Sequence, residues 1–292
     1  MKRVLILGAN GMLGHKLYQV LSPRFRVTGA IRGAFPDISG YGFYEKARII
    51  PNVNALDISS IEKAIEKARP DVVINCIGVV KALEEKSGAL LTGWINSLLP
   101  HQLYQVCRCR GARFIHISTD CVFSGRKGGY REEDPSDAED VYGRTKYLGE
   151  VTGPGALTVR TSFFGRELAG ANGLLEWFVA NKGGRVDGYT NAIFSGFPSL
   201  HLAGIVADII AQCENLSGLY HVSSEPISKY ELLTLINKAM RLNIDVKKYP
   251  DFRCDRSLDS TRFRQETGFK PLSWEKMVGG MARDAAQYLK WR

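Results

Sequence analysis

Apolar and polar positions divide the chain into segments with two different periods. Residues 2–7, KRVLIL, form a short, almost unbroken apolar run closed by a glycine turn. From Met12 the spacing changes: Met12, Leu13, Leu17, Tyr18, Val20 and Leu21 recur at intervals of three and four until Ser22 and Pro23 stop them. This pattern predicts a buried strand followed by an amphipathic helix. The alternation continues through FRVTGAI (25–31) as strand, ISSIEKAIEKA (58–68) as helix and DVVINCIG (71–78) as buried strand. An apolar helix over 88–110, the strand RFIHIS (113–118), a helix around Tyr142 and the strand ALTVR (156–160) follow. Nearly continuous apolar strands separated by helices indicate a parallel sheet covered on both faces, so the expected class is α/β, a doubly wound parallel sheet of the Rossmann type.

Beyond residue 160 the pattern loosens. NKGGRVDGYTN (181–191) reads as glycine-rich turns, helices are expected near 200–213, 229–241 and 273–289, and GLYHV (218–222) reads as a short strand. The expected division is a first domain over 1–160 and a smaller mixed α/β C-terminal lobe over 161–292, with allowance for excursions of the chain back to the first domain.

Composition narrows the partners. The 292 residues carry a formal net charge of +9, yet Lys and Arg are scattered and interleaved with acids, and the densest basic run, 108–113, is short. A phosphate-bearing small molecule accounts for this charge, whereas nucleic acid calls for a basic stripe with interleaved aromatics. Six cysteines without paired spacing indicate a reducing compartment, and no segment approaches the roughly 18 apolar residues of a membrane span. The expectation is a cytoplasmic protein that contacts neither membrane nor nucleic acid.

Gly8-Ala9-Asn10-Gly11-Met12-Leu13-Gly14 lies between the first strand and the first helix. Small residues here let a backbone approach a pyrophosphate, and the helix N-terminus offers free amides to the anion, so Gly8, Asn10, Gly11, Met12, Leu13 and Gly14 are candidate dinucleotide ligands. The second strand ends Ala30-Ile31-Arg32 without a carboxylate for a ribose hydroxyl. Arg32 suits a 2′-phosphate and favours NADPH over NADH; an exposed loop arginine is the equal alternative. Asp57 and Ile58 are positioned to flank an adenine, and Asp57 serves equally well as a helix cap.

Tyr142 and Lys146, four apart in DVYGRTKYLGE, share one face of a helix with Cβ atoms about 5–6 Å apart. A nearby ammonium stabilises a phenolate, which makes the tyrosine a workable proton donor and acceptor. A carbonyl that receives hydride develops negative charge on oxygen and needs a donor aimed there, and Ser118-Thr119-Asp120, at the carboxyl end of a strand, supplies the partner. His15, His101, His116, His201 and His221 show no metal-ligand spacing, and His116 reads as an ordinary alternating strand residue.

The order GxxGxxG, then STD, then YGRTK resembles the extended short-chain dehydrogenase/reductase family. Within it, STDCVFSG, the acidic loop before VYGRTKYLGE and the later VRTSFFG resemble the dTDP-4-dehydrorhamnose reductases and related sugar-nucleotide ketoreductases. The resemblance implies that Tyr142 protonates the sugar carbonyl, that Lys146 holds the nicotinamide ribose and lowers the phenol's pKa, and that Thr119 hydrogen-bonds the reacting carbonyl. It places Cys76, Ile77 and Gly78 along the cofactor and sets Asn96 where many relatives carry a structural Asn, with capping or packing as the equal alternative. The implied partners are a sugar-nucleotide substrate and a second copy of the chain.

Two departures from the family matter. Cys121 follows Asp120 where the 4,6-dehydratases carry a second carboxylate, which disfavours dehydration. Lys16 stands where some rhamnose-type reductases carry a glutamate of an intersubunit magnesium site, so no metal is expected. Asp120, Arg160, Arg185, Phe197 and Arg262 are the substrate-side candidates, with Lys182 and Phe263 as further ones. An epimerase retaining its NAD and a non-catalytic dinucleotide-binding regulatory subunit are the competing readings.

Overall fold

The computed structural model describes residues 1–81 and 84–291. Strand β1 (Arg3–Leu7) turns into α1 (Met12–Leu21), followed by β2 (Arg26–Ala30), the short α2 (Pro36–Ser39) and β3 (Ile49–Ile50). Next come α3 (Ile58–Ala68), β4 (Val72–Asn75), the short helices α4 (Glu84–Ser87) and α5 (Ala89–Gly93), a π-helical turn (Trp94–Leu98), α6 (Leu99–Cys109) and β5 (Arg113–Thr119). Helix α7 (Val141–Leu148) and β6 (Ala156–Thr161) complete the first half.

The second half runs β7 (Phe163–Phe164), α8 (Leu174–Ala180), β8 (Arg185–Phe194), β9 (Phe197–Pro198), α9 (Ser199–Gln212) and β10 (Gly218–His221). It ends with β11 (Ile227–Ser228), α10 (Lys229–Met240), β12 (Asp245–Asp255), α11 (Thr261–Thr267), α12 (Trp274–Ala285) and a 3₁₀ turn (Ala286–Lys290).

The main sheet has the order β10-β6-β5-β4-β1-β2-β3, and every neighbouring pair is parallel. Its two faces explain the unbroken apolar runs. Val4, Ile6, Val27, Ile74, Ile115, Ile117 and Val159 bury on one face with α1 and α9, whereas Leu5, Leu7, Val73, Phe114 and Ala156 bury on the other with α3 and α6. A strand covered on both sides has no position left for alternating polar residues. The fold is the doubly wound Rossmann-like sheet that the periodicity predicts, with a smaller mixed sheet beside it.

That second sheet, β11-β8-β12, pairs β8 with β12 in parallel and with β11 antiparallel, and α10 packs against it. It corrects one expectation: RVDGYTN, read as turn, is strand, and only the glycines before it turn. The chain also returns to the main sheet, where β10 forms the edge next to β6. Among the described residues no helix is long and apolar enough to cross a membrane.

Candidate active site

The carboxyl ends of the parallel strands gather the chemistry. At the end of β1 the chain turns at Gly8 with φ 77°, and the Gly8 and Ala9 amides donate to the Ala30 carbonyl at 3.1 and 3.0 Å, tying the turn to β2. Gly14 sets the approach of α1, because a Cβ there would collide with the Gly8 carbonyl oxygen. The helix begins at Gly11, which has no side chain to cap it, and its first turn holds no acidic residue. Its first amides and the positive end of its dipole therefore remain for an anion. Cys76 donates its amide to the Leu7 carbonyl at 3.0 Å, and its carbonyl lies 3.3 Å from where a Gly8 Cβ would be. Uncapped donors in a cradle that a single Cβ would fill fit the pyrophosphate of a dinucleotide, with Cys76, Ile77 and Gly78 alongside. Arg32 is exposed just beyond β2. Asp57 is the N-cap of α3, accepting the Ser59 amide at 3.0 Å, and Ile58 opens that helix.

Two strands across the sheet, β5 ends at Thr119. Asp140 caps α7 by accepting the Gly143 amide at 2.7 Å, which places Tyr142 in the first turn. Gly143 lets this helix press on the loop after β5, where a Cβ would overlap the Cys121 carbonyl. As a result the half-buried Tyr142 phenol is hydrogen-bonded with Thr119, whose hydroxyl is 3.2 Å from Asp120 Oδ1 and accepts the Cys121 amide at 3.1 Å. Burial pushes the phenol up, the Cys121 and Asp120 neighbours add to this, and the Thr119 hydrogen bond works against it. Tyr142 is thus held as a protonated donor.

Lys146 is buried at 5% exposure and turns its Nζ into the protein, 2.8 Å from the Ile117 carbonyl and 3.3 Å from His116 Nε2. Burial draws it down to about 8, against the opposing pull of Glu150 and Cys76. The largest influences on the Tyr142 phenol in this structure are burial and then its Cys121, Thr119, Asp120 and Asp140 neighbours.

Asn96, in the π-helical turn, accepts the Val79 amide at 2.9 Å and donates to the Val79 carbonyl at 3.0 Å. It also reaches Thr145 of α7 at 3.4 Å, stapling the Cys76–Gly78 segment to the helix that carries Tyr142. This is the structural role implied by the resemblance.

On the substrate side the structure keeps Asp120 at the site and redistributes the other candidates. Asp120 is buried, and burial raises its carboxyl while Arg256 and Lys229 pull it down. Arg160 is committed elsewhere, lying in β6 with its buried guanidinium on Glu150 at 2.7 Å. Arg185 opens β8, which runs toward the site only at its Phe194 end, roughly 30 Å of strand away; its partner is Asp245. Arg262 pairs with Glu266 and stacks on Tyr220 of the outer strand β10. Phe197 and Phe263 are core residues packed on Phe269, and Lys182 is an exposed residue after α8. Lys16 is buried against Asp284 at 2.8 Å.

Lys229 and Arg256, which the sequence reading missed, are the second-lobe cations that act on Asp120. Lys229 Nζ lies 4.1 Å from the centre of the Phe194 ring, and Arg256 Nε donates to the Phe123 carbonyl at 2.7 Å. Neither stands in a motif; the lysine opens α10 just after β11 and the arginine follows β12, and the pairing of both strands with β8 brings them together.

Comparison with known proteins agrees with this geometry. The dTDP-4-dehydrorhamnose reductase of Streptomyces griseus is 34% identical over 149 residues, 51% of this chain and 43% of that protein, so the match spans less than half of that relative's length. The spore coat polysaccharide biosynthesis protein SpsK of Bacillus subtilis is 27% identical over 295 residues, covering 95% of this chain and 96% of its own. The crystal structure of a hypothetical dTDP-4-dehydrorhamnose reductase from Sulfolobus tokodaii superposes with a TM-score of 0.77 at 28% identity, covering 94% of this chain and 98% of that one. The model of the RmlD substrate binding domain matches residues 1–287. With a dinucleotide cradle, a Thr-Tyr-Lys set and a second lobe in these positions, the chain belongs to the RmlD substrate binding domain family.

Proposed function

We propose that the protein is an NAD(P)H-dependent ketoreductase acting on a nucleotide-linked 4-keto-6-deoxysugar, in the supply of a cell-surface polysaccharide or similar glycoside. The supporting observation is the hydrogen-bonded Thr119 and Tyr142 hydroxyls at the carboxyl end of β5, on the same edge of the sheet as the Gly8–Gly14 cradle. The Gly8–Gly14 cradle would hold the pyrophosphate of a reduced dinucleotide, whose nicotinamide would supply hydride. Tyr142 gives its phenolic proton to the carbonyl oxygen as charge develops there, and Thr119 holds that oxygen in line. Lys229 and Arg256 offer cations to the substrate's phosphates from the second lobe.

The test is direct: the protein is mixed with NADPH and a panel of nucleotide-linked 4-keto-6-deoxysugars, and absorbance reports oxidation of the cofactor. Reduction of at least one member is expected. Cofactor that turns over without net consumption would favour an epimerase, and absence of turnover with one stoichiometric protein partner would favour a regulatory subunit.

Two smaller effects follow. Arg32→Ala should reduce the preference for NADPH over NADH about tenfold, the loss of one charge-assisted contact to a 2′-phosphate; an unchanged ratio of kcat/KM values for the two cofactors removes Arg32 from the site. Lys229→Gln should raise KM for the sugar nucleotide about tenfold with little change in kcat, the mark of a uniform binding contact. A KM equal to that of the unaltered protein contradicts that assignment.

The reading extends to a homodimer in the cytoplasm. Leu90, Leu98, Tyr147 and Leu148 are exposed around α5, the π-helical turn and α7, an apolar surface that suits a second copy. The six cysteines are all free thiols, in keeping with a reducing compartment. Light scattering that gives a monomer mass at assay concentration would remove the dimer.

A further inference from the structure

A chain of buried hydrogen bonds crosses the sheet and ends on Lys146. Asn75, the last residue of β4, accepts the Ile77 amide hydrogen on Oδ1 at 3.0 Å. That contact fixes its carboxamide, so that Nδ2 faces His116 Nδ1 at 3.1 Å. An amide nitrogen has only hydrogens to give, so His116 Nδ1 accepts and the proton of the neutral ring sits on Nε2. Burial and the nearby Lys146 charge keep this imidazole neutral, well below its usual range. Nε2 lies 3.3 Å from Lys146 Nζ, which also lies 2.8 Å from the Ile117 carbonyl.

Two N–H groups cannot bond each other. The contact between His116 Nε2–H and Nζ is satisfied when the lysine offers a lone pair, while an Nζ hydrogen still goes to Ile117. Asn75 cannot reverse to relieve the ammonium form, because the Ile77 amide would then meet its NH₂ group.

We propose that His116, held as the Nε2–H tautomer by Asn75, is a positioning residue that biases Lys146 toward its amine form, so that this lysine changes protonation in the working range of the enzyme instead of standing as a fixed cation. The other ionisable groups facing Lys146 are Glu150, beyond the end of α7, and the Cys76 thiol after β4, both of which favour the ammonium. His116 itself also faces His101 of α6, which disfavours a second charge on the ring.

The inference goes beyond the reductase reading, and its main test does not need activity. Long-range nitrogen–proton NMR of the protein labelled with ¹⁵N-histidine, with His116 assigned by its loss in His116→Gln, should show a protonated Nε2 and a bare Nδ1. With ¹³C-lysine labelling, the Lys146 Cε titration should move up by roughly one pH unit in His116→Gln, whose side-chain oxygen can accept from an ammonium. The alkaline limb of kcat/KM should move by the same amount, which a merely structural loss of packing would not produce. A ring protonated on Nδ1, or an unmoved lysine midpoint in the folded variant, overturns the proposal; if the variant does not fold, the tautomer in the unaltered protein, with His116 assigned through its backbone resonances, decides alone. If no ketone is reduced by the unaltered protein, the reductase reading fails while the two NMR results still stand or fall by themselves.

Discussion

Tyr142→Phe should lower kcat/KM for ketone reduction by about 10² to 10⁴-fold, the range typical of removing a positioned general acid. The change deletes one oxygen from a half-buried ring that is hydrogen-bonded with Thr119 and leaves the ring's packing in α7 intact. Dinucleotide affinity should stay within a few-fold, because the cradle at Gly8 and Gly14 lies at the end of a different strand. Burial raises the phenol's proton affinity, so at neutral pH the tyrosine is already in the form that gives a proton, and its own ionisation should not limit reduction there. The alkaline decline should instead track Lys146, drawn down to about 8 by burial: the ammonium is complete below that point and is lost as pH rises through it. Steady-state kinetics across pH with cofactor titration check each part. A variant that reduces as fast as the unaltered protein contradicts the proton-donor role.

Arg160→Ala should destabilise the fold by about 3–5 kcal/mol, because it leaves Glu150 as an unpaired buried carboxylate. The arginine and glutamate side chains are 2% and 6% exposed. Arg160 Nε and Nη2 lie 2.8 and 2.7 Å from the two Glu150 oxygens, Ser118 donates to the same carboxylate at 2.7 Å, and His221 Nε2 lies 3.2 Å from Arg160 Nη1. This group ties β6 to β5 one residue before Thr119 and to β10 at the sheet edge. For a chain of this size the loss corresponds to a fall in Tm on the order of 10 °C. Differential scanning calorimetry separates the two roles of the arginine: a substrate contact would raise KM and leave Tm in place, whereas the ion pair predicts the reverse order of effects.

Arg160 also shows where the sequence stopped being legible. A cation at the end of a strand in a basic protein looks available for phosphate, and its partner Glu150 is ten residues earlier, in the loop just after α7; nothing local announces that they meet. The same limit hid Lys229 and Arg256, which the pairing of β11 and β12 with β8 assembles. β12 was itself unreadable, because its DVKKYPDFRCD is almost wholly exposed and contains a proline, so no apolar alternation marks it. Gly188 and Asp187 likewise disguised β8 as a turn, although its Val186 and Gly188 are buried between exposed neighbours.

What was legible was local or doubly buried. The sheet strands are nearly pure apolar runs because both of their faces are covered, and α1 follows its strand through glycines whose spacing a close turn requires. Thr119, Tyr142 and Lys146 were readable because two of them share one helix face and the third ends a strand. His116 alternates within β5 like any core residue, and only the coordinates of Asn75 and Lys146 on either side reveal what it touches.

The most direct measurement follows the hydrogen itself. The protein is incubated with a nucleotide-linked 4-keto-6-deoxysugar and NADPH deuterated on the transferred position of its nicotinamide, and the sugar product is read by NMR. The account predicts one deuterium on the former carbonyl carbon for each cofactor oxidised, and that transfer slowed by about 10² to 10⁴-fold in Tyr142→Phe. A protein that binds both ligands yet leaves the sugar carbon free of deuterium contradicts it.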